Sequence, residues 1–156
     1  MPSVSINKPH HRQEHEASCL PACAKMLLTF LGNMVEENAL RDLLTTDEYG
    51  TSALNILMLN ASLPGTKAEL HIWLLSDLIN YLEDKQQPCI VAVGTTALPY
   101  WNEADHSHAV VVCGFDEENL FINDPYFDDE EFIVPSEAFL AAWSEAKNIA
   151  ITIERR

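Results

Sequence analysis

The sequence predicts an α+β fold in which N-terminal helices pack on a mostly antiparallel sheet. Two observations carry that prediction. Up to about residue 85 the apolar residues recur at helical spacing, and beyond Pro88 they gather into short β-branched runs separated by turn residues. A third observation sets the scale: 156 residues that are 47% hydrophobic suffice for one ordinary core, so residues 1–156 read as a single domain.

The first helix is expected from about Cys19 to Leu31. Pro21 lies near its first turn, where a missing N–H costs nothing, and Gly32 stands just beyond its end. Cys23, Met26, Leu27, Phe30 and Leu31 mark its buried side. A second helix is expected from Glu36 to Leu44, ending before the polar turn Thr45 to Gly50, and a third from Ser52 to Ala61, closed by Leu63-Pro64-Gly65. The fourth, Leu74 to Lys85, turns Leu75, Leu78, Ile79 and Leu82 inward.

After Gln86-Gln87-Pro88 the period changes. Cys89 to Val93 is a continuous apolar run, the signature of a central strand. Ala109 to Phe115 and Asn119 to Asn123 read as two strands joined at Asp116-Glu117-Glu118. Phe132 to Val134 is a further strand, Ser136 to Trp143 a short helix, and Ile149 to Ile153 the last strand.

Charge excludes one class of partner. With 24 acidic against 9 basic residues the net charge is −15, which repels a phosphate backbone, so nucleic acid is not expected to bind. The run Asp128-Asp129-Glu130-Glu131 reads as a solvated loop or strand edge. No segment has the length of a signal peptide's apolar region or of a membrane span, so the expectation is a soluble, cytoplasmic protein without membrane insertion. Cys89 and Cys113 fall inside apolar strands and read as small buried hydrophobes, with no disulfide required.

Four residues supply the parts of a cysteine nucleophile. Cys19 sits where the chain enters a helix, and free N–H groups there favour a thiolate. Cys23, one turn later, suits the core equally well, so this segment alone does not separate them. His108 projects from the mouth of a strand, and Asp124 ends the neighbouring strand of the same hairpin. The carboxylate can then orient one imidazole nitrogen while the other faces the thiol. Gln13, six residues before Cys19, can bring its amide over the nucleophile and, with the Cys19 N–H, form an oxyanion hole.

The segment Gln13-Glu-His-Glu-Ala-Ser-Cys19-Leu-Pro-Ala-Cys23 resembles the start of the double-glycine, bacteriocin-leader-processing cysteine peptidase family, a branch of the papain-like fold. Gly50 to Asn55, Pro88 to Val91, His108 to Asp116 and Phe121 to Pro125 resemble its later blocks, and the similarity runs on to Phe139–Trp143. The resemblance implies a papain-like fold, Cys19 as nucleophile, His108 as base and acid, Asp124 as its orienting partner and Gln13 in the oxyanion hole. It also implies a peptide or protein substrate, no cofactor, and an acyl-enzyme resolved by water. Where the family usually carries Gly after the nucleophile this chain has Leu20, which narrows the groove beside Cys19. The transporter regions that accompany this domain in bacteriocin exporters are missing from the sequence, and a stand-alone relative is the better comparison. Oligomeric state is not legible.

Three other readings use the same residues. A metal site could be built on His106 and His108, two apart on a potential strand, with His10, His11, Cys113 and Asp124 as further ligands. The fold could serve as a peptide-binding module without turnover. An amine could replace water as acceptor, giving transglutaminase-like acyl transfer.

Overall fold

The computed structural model describes residues 3–7, 9–101, 106–128 and 131–156. The elements run β1 (Val4–Ser5), α1 (Cys19–Phe30), α2 (Glu37–Leu43), a 3-10 turn (Ala53–Met58), α3 (Leu59–Ser62), β2 (Thr66–Ile72) and α4 (Leu75–Lys85). Then follow β3 (Cys89–Gly94), a 3-10 turn (Thr95–Ala97), β4 (Ser107–Phe115), β5 (Asn119–Asn123), β6 (Phe132–Pro135), α5 (Ser136–Glu145) and β7 (Ile149–Arg155). The strands form one antiparallel sheet in the order β2-β7-β3-β4-β5-β6.

The apolar runs of β3 and β4 are continuous because both sheet faces are covered. Ile90, Val111 and Ile151 belong to one core with Met26 and Leu27 of α1 and Leu40 of α2. Val91, Val110, Val112 and Ala150 belong to the other, with Leu78 and Leu82 of α4 and Phe139 and Trp143 of α5. The result is a helix–sheet–helix arrangement with the C-terminal end of β5 and the N-terminal end of β4 brought beside the start of α1.

Two strands were not foreseen. In β2 the residues Thr66-Lys-Ala-Glu-Leu-His-Ile72 do alternate, but Lys, Ala, Glu and Leu carry a helical preference that masks the period. The segment expected as one helix from Ser52 to Ala61 is instead a 3-10 stretch followed by the four residues of α3. β1 is only two residues long and pairs with β4 at Gly114 and Phe115, just past the register held by β3. A Cβ on Gly114 would lie 2.1 Å from the Val4 carbonyl oxygen. Gly114→Ala is therefore expected to detach β1 and cost about 2 kcal/mol, as overpacking against backbone does, read as a lowered urea midpoint.

Of the acidic run, Asp128 is exposed and pairs with Arg12 at 3.1 Å; Asp129 and Glu130, like Asp105, lie outside the described residues. No helix among the described residues is long and apolar enough to cross a membrane.

Candidate active site

Helix α1 begins without a side-chain cap. The hydroxyl of Ser18, at the N-cap, accepts a hydrogen bond from the Arg41 guanidinium instead, and no acid occupies the first turn. The free N–H groups and positive end of the dipole are thus left to Cys19, the first helical residue, whose own N–H has no intrahelical acceptor. Cys19 is partly exposed, whereas Cys23 is fully buried. Burial first, then the neighbouring charges of Cys19 and Asp124, push the Cys23 thiol well up, so it stays protonated. The two cysteines that the α1 segment alone did not separate thus differ in exposure.

His108 enters from the second residue of β4, and Asp124 follows directly on β5. In the β4–β5 register Val111 faces Asn123; one step further Asp124 falls opposite Val110, which makes His108 its diagonal neighbour on the same face. His108 Nε2 lies 2.7 Å from Asp124 Oδ1, both side chains being buried. The Asp124 carboxylate also accepts from the Tyr100 hydroxyl at 2.8 Å and from the Tyr126 backbone N–H at 2.9 Å. With Nε2 committed to the aspartate, the other ring nitrogen is the one left for the cleft that Cys19 also lines. Burial lowers the proton affinity of His108, but hydrogen bonds to Asp124 and Cys19 and the charges of both outweigh it, leaving its pKa raised to about 9. Tyr100 is likewise held protonated, by burial and then by Asp124.

Gln13 lies on the wall of the same cleft. Its backbone N–H donates to the Pro125 carbonyl at 2.7 Å, tying it to the turn that carries Asp124. Its side-chain Nε2 donates to the carbonyls of His15 and Glu16 at 2.8 and 3.0 Å, while Oε1 is buried and lacks a partner among the described residues. The segment around it is held from below by Glu37 of α2, fully buried, whose two carboxylate oxygens accept the Glu14 N–H at 3.1 and 3.0 Å and whose Oε1 lies 2.9 Å from His11 Nε2. Glu37→Ala is expected to lower stability by about 2 kcal/mol, since it takes both acceptors from the Glu14 N–H and removes a charge-assisted contact with His11. Chemical denaturation measures that cost, and a fall in any Gln13-dependent rate accompanies it.

Cys19 and His108 sit at the junction of two hollows, of about 400 and 340 Å³, which share Tyr49, Gly50 and Ser107 as walls. One is lined by Trp101 and Tyr126, the other by Leu20, Ala92 and Ala109 with other apolar side chains. The Leu20 side chain is directed mainly into the core beneath, at 4% exposed, and edges the second hollow. Together they form an open cleft that passes over Cys19.

Residues that the sequence reading passed over are Tyr100, Trp101, Tyr126 and Glu37. Tyr126 could have been found as the residue closing the turn after Asp124; Glu37 left no signal, because a glutamate near a helix start looks solvated. For the metal reading, His10 is spent on structure, with Nε2 on the Phe127 carbonyl at 2.7 Å and Nδ1 accepting from Asn123 at 3.0 Å. His108 is engaged by Asp124 and Cys19. Among the described residues the group with metal-ligand proximity is a different one, His11, Glu14 and Glu37.

A family model described as the peptidase C39 family matches residues 7–156. No curated protein matches the sequence. Among solved structures, a C39-like peptidase described from Bacillus anthracis superposes with a TM-score of 0.79 at 20% identity, covering 100% of this chain and 99% of its own. The peptidase domain of Streptococcus ComA, a bifunctional ABC transporter involved in quorum sensing, gives 0.76 at 25% identity over 94% of this chain and 97% of that one. A double-glycine-motif protease from an AMS/PCAT transporter, in complex with leader peptide, gives 0.74 at 21% identity over 98% and 95%.

Proposed function

Since the chain belongs to the peptidase C39 family, as its resemblance to double-glycine peptidases implies, we propose that it is a cysteine peptidase working through Cys19, His108 and Asp124. The observation that carries this reading is the imidazole of His108, held by a buried carboxylate at 2.7 Å and lining the same cleft as the partly exposed Cys19.

The chemistry follows from that placement. A sulfur beside an imidazolium and a helix N-terminus carries its negative charge at low cost and attacks the carbonyl carbon of a peptide lying in the cleft. Charge moves to the carbonyl oxygen, where the Cys19 backbone N–H is a donor. Gln13 joins it by swinging its side-chain amide off the His15 and Glu16 carbonyls into the cleft. His108 then gives its proton to the departing amine, the thioester forms, and the neutral imidazole takes a proton from the water that releases the acyl group. Asp124 holds the ring and its charge throughout, and Tyr100 and the Tyr126 N–H hold Asp124.

The substrate on this reading is a peptide or protein, in line with the relative that binds a leader peptide. Residues 1–156 act as one peptidase domain, and no cofactor takes part. A nucleophilic Cys19 works only as a reduced thiol, which favours a reducing, cytoplasmic setting.

The test is alkylation of Cys19 by iodoacetamide, followed by mass spectrometry, in wild type and His108→Ala. At pH 7 the wild type is expected to react at least about tenfold faster, because only it holds an imidazolium beside the sulfur. Equal rates in the two proteins would leave a peptide-binding module with an idle thiol.

A further inference from the structure

The Trp101 side of the cleft carries groups that the proton shuttle does not use. Trp101 is 8% exposed and packs on both His108 and Tyr126, with ring centroids 4.8 and 4.9 Å away. Its indole Nε1 is buried and without a hydrogen-bond partner among the described residues, as is Gln13 Oε1 on the same wall. An unpaired buried donor is costly, and each one in a native structure calls for an explanation; an acceptor brought by a bound peptide is one. Both residues line the same hollow, and a donor and an acceptor at its wall are the complement of a peptide unit.

Charge adds a second preference. Glu16 and Glu48, both exposed, line this hollow, and no Lys or Arg is among its described lining residues. Arg12, in the same N-terminal segment, is paired with Asp128. The hollow on the other side of Cys19 differs, being apolar with one residue of each sign, Glu145 and Lys147.

We infer that the Trp101 side of the cleft is a subsite for a lysine or arginine of the peptide, with Glu16 and Glu48 receiving the cationic head and Trp101 donating its indole N–H to a backbone carbonyl of the same segment. The assignment rests on the reading that a peptide occupies this cleft over Cys19, and it names which peptides the cleft selects. A cation placed there is stabilised by two exposed carboxylates, an attraction that is strongest at low salt, and its approach is accelerated by the same field.

Reagents that reach Cys19 without needing turnover test it. Full-length protein is treated at low salt with methanethiosulfonates bearing an ammonium or a sulfonate, and with chloroacetyl-lysine amide or chloroacetyl-glutamate amide; modification of Cys19 is timed by mass spectrometry. Each cationic reagent is expected to react about tenfold faster than its anionic partner. Both ratios should collapse in the Glu16→Gln/Glu48→Gln double variant, whose changes lie on the exposed rim. Trp101→Phe should slow the chloroacetamides by about threefold relative to the methanethiosulfonates, which have no amide carbonyl to lose; taking that ratio cancels any change in thiol reactivity caused through His108. Charge ratios that persist in the double variant would mean that the field of the whole chain, not these two glutamates, is at work, and the subsite would be wrong. An unchanged ratio in Trp101→Phe removes the indole from the assignment. A Cys19 that reacts with all four reagents without charge preference overturns the subsite alone, whereas one that reacts with none overturns the nucleophile as well.

Discussion

Cys19→Ala is expected to reduce peptide hydrolysis by more than about a thousandfold, to whatever the cleft can do by binding alone, while leaving the fold in place. The two halves of that expectation come from the same position. Cys19 is the first residue of α1 and partly exposed, so its sulfur is not a filler of the core, and alanine is the best helix former. Removing the sulfur therefore leaves a small gap at the cleft floor rather than a cavity between α1 and the sheet. Circular dichroism and the thermal midpoint should be close to wild type. The electrostatic consequence is specific: the thiol is one of the groups that hold His108 protonated, so the imidazole in the variant titrates below its wild-type value of about 9, which NMR of the ring protons can follow. Hydrolysis surviving in Cys19→Ala would remove this residue from the mechanism.

That expectation was partly legible from residues and partly not. The apolar runs of β3 and β4 and the inward faces of α1 and α4 follow from period alone, because burial imposes it. β2 escaped since its residues favour the wrong element, and β1 since two residues carry no period. In the site, the helix start at Cys19 and the hairpin that aligns His108 with Asp124 could be reasoned from spacing and turn chemistry. The α1 segment alone could not choose between Cys19 and Cys23, and the choice of Cys19 rested on Gln13, His108 and Asp124; the difference in exposure between the two is a tertiary fact. Nor could spacing supply the support of Asp124 by Tyr100, which comes from the loop between β3 and β4, or of the Gln13 segment by Glu37, which comes from a different helix. Such contacts are made by tertiary packing, and sequence distance hides them.

Asp124→Asn is expected to slow hydrolysis by about a hundredfold while preserving the site's shape, a smaller loss than that of the nucleophile. Its Oδ1 can still accept from His108 and from the Tyr126 N–H, and the Tyr100 hydroxyl, now facing an amide nitrogen, can turn to accept where it had donated. What disappears is the negative charge. In the wild type the hydrogen bond and charge of Asp124, with those of Cys19, overcome burial and raise His108 from 6.5 to about 9. The folded state therefore binds more protons than the unfolded chain between those values. The stability this pairing contributes is fully present below about 6.5 and is lost as pH rises through about 9. Activity should share the upper boundary, declining as the imidazolium that donates to the leaving amine is lost near that pH. In Asp124→Asn both boundaries shift to lower pH, so that the rate falls at pH values where the wild type still works, and the downward slope of stability with pH moves with it. Measuring the pH–rate profile and urea midpoints of the two proteins side by side separates roles: a variant that is merely unstable, with an unshifted upper limb once folded protein is counted, would make Asp124 a turn residue and leave His108 to be oriented by something else.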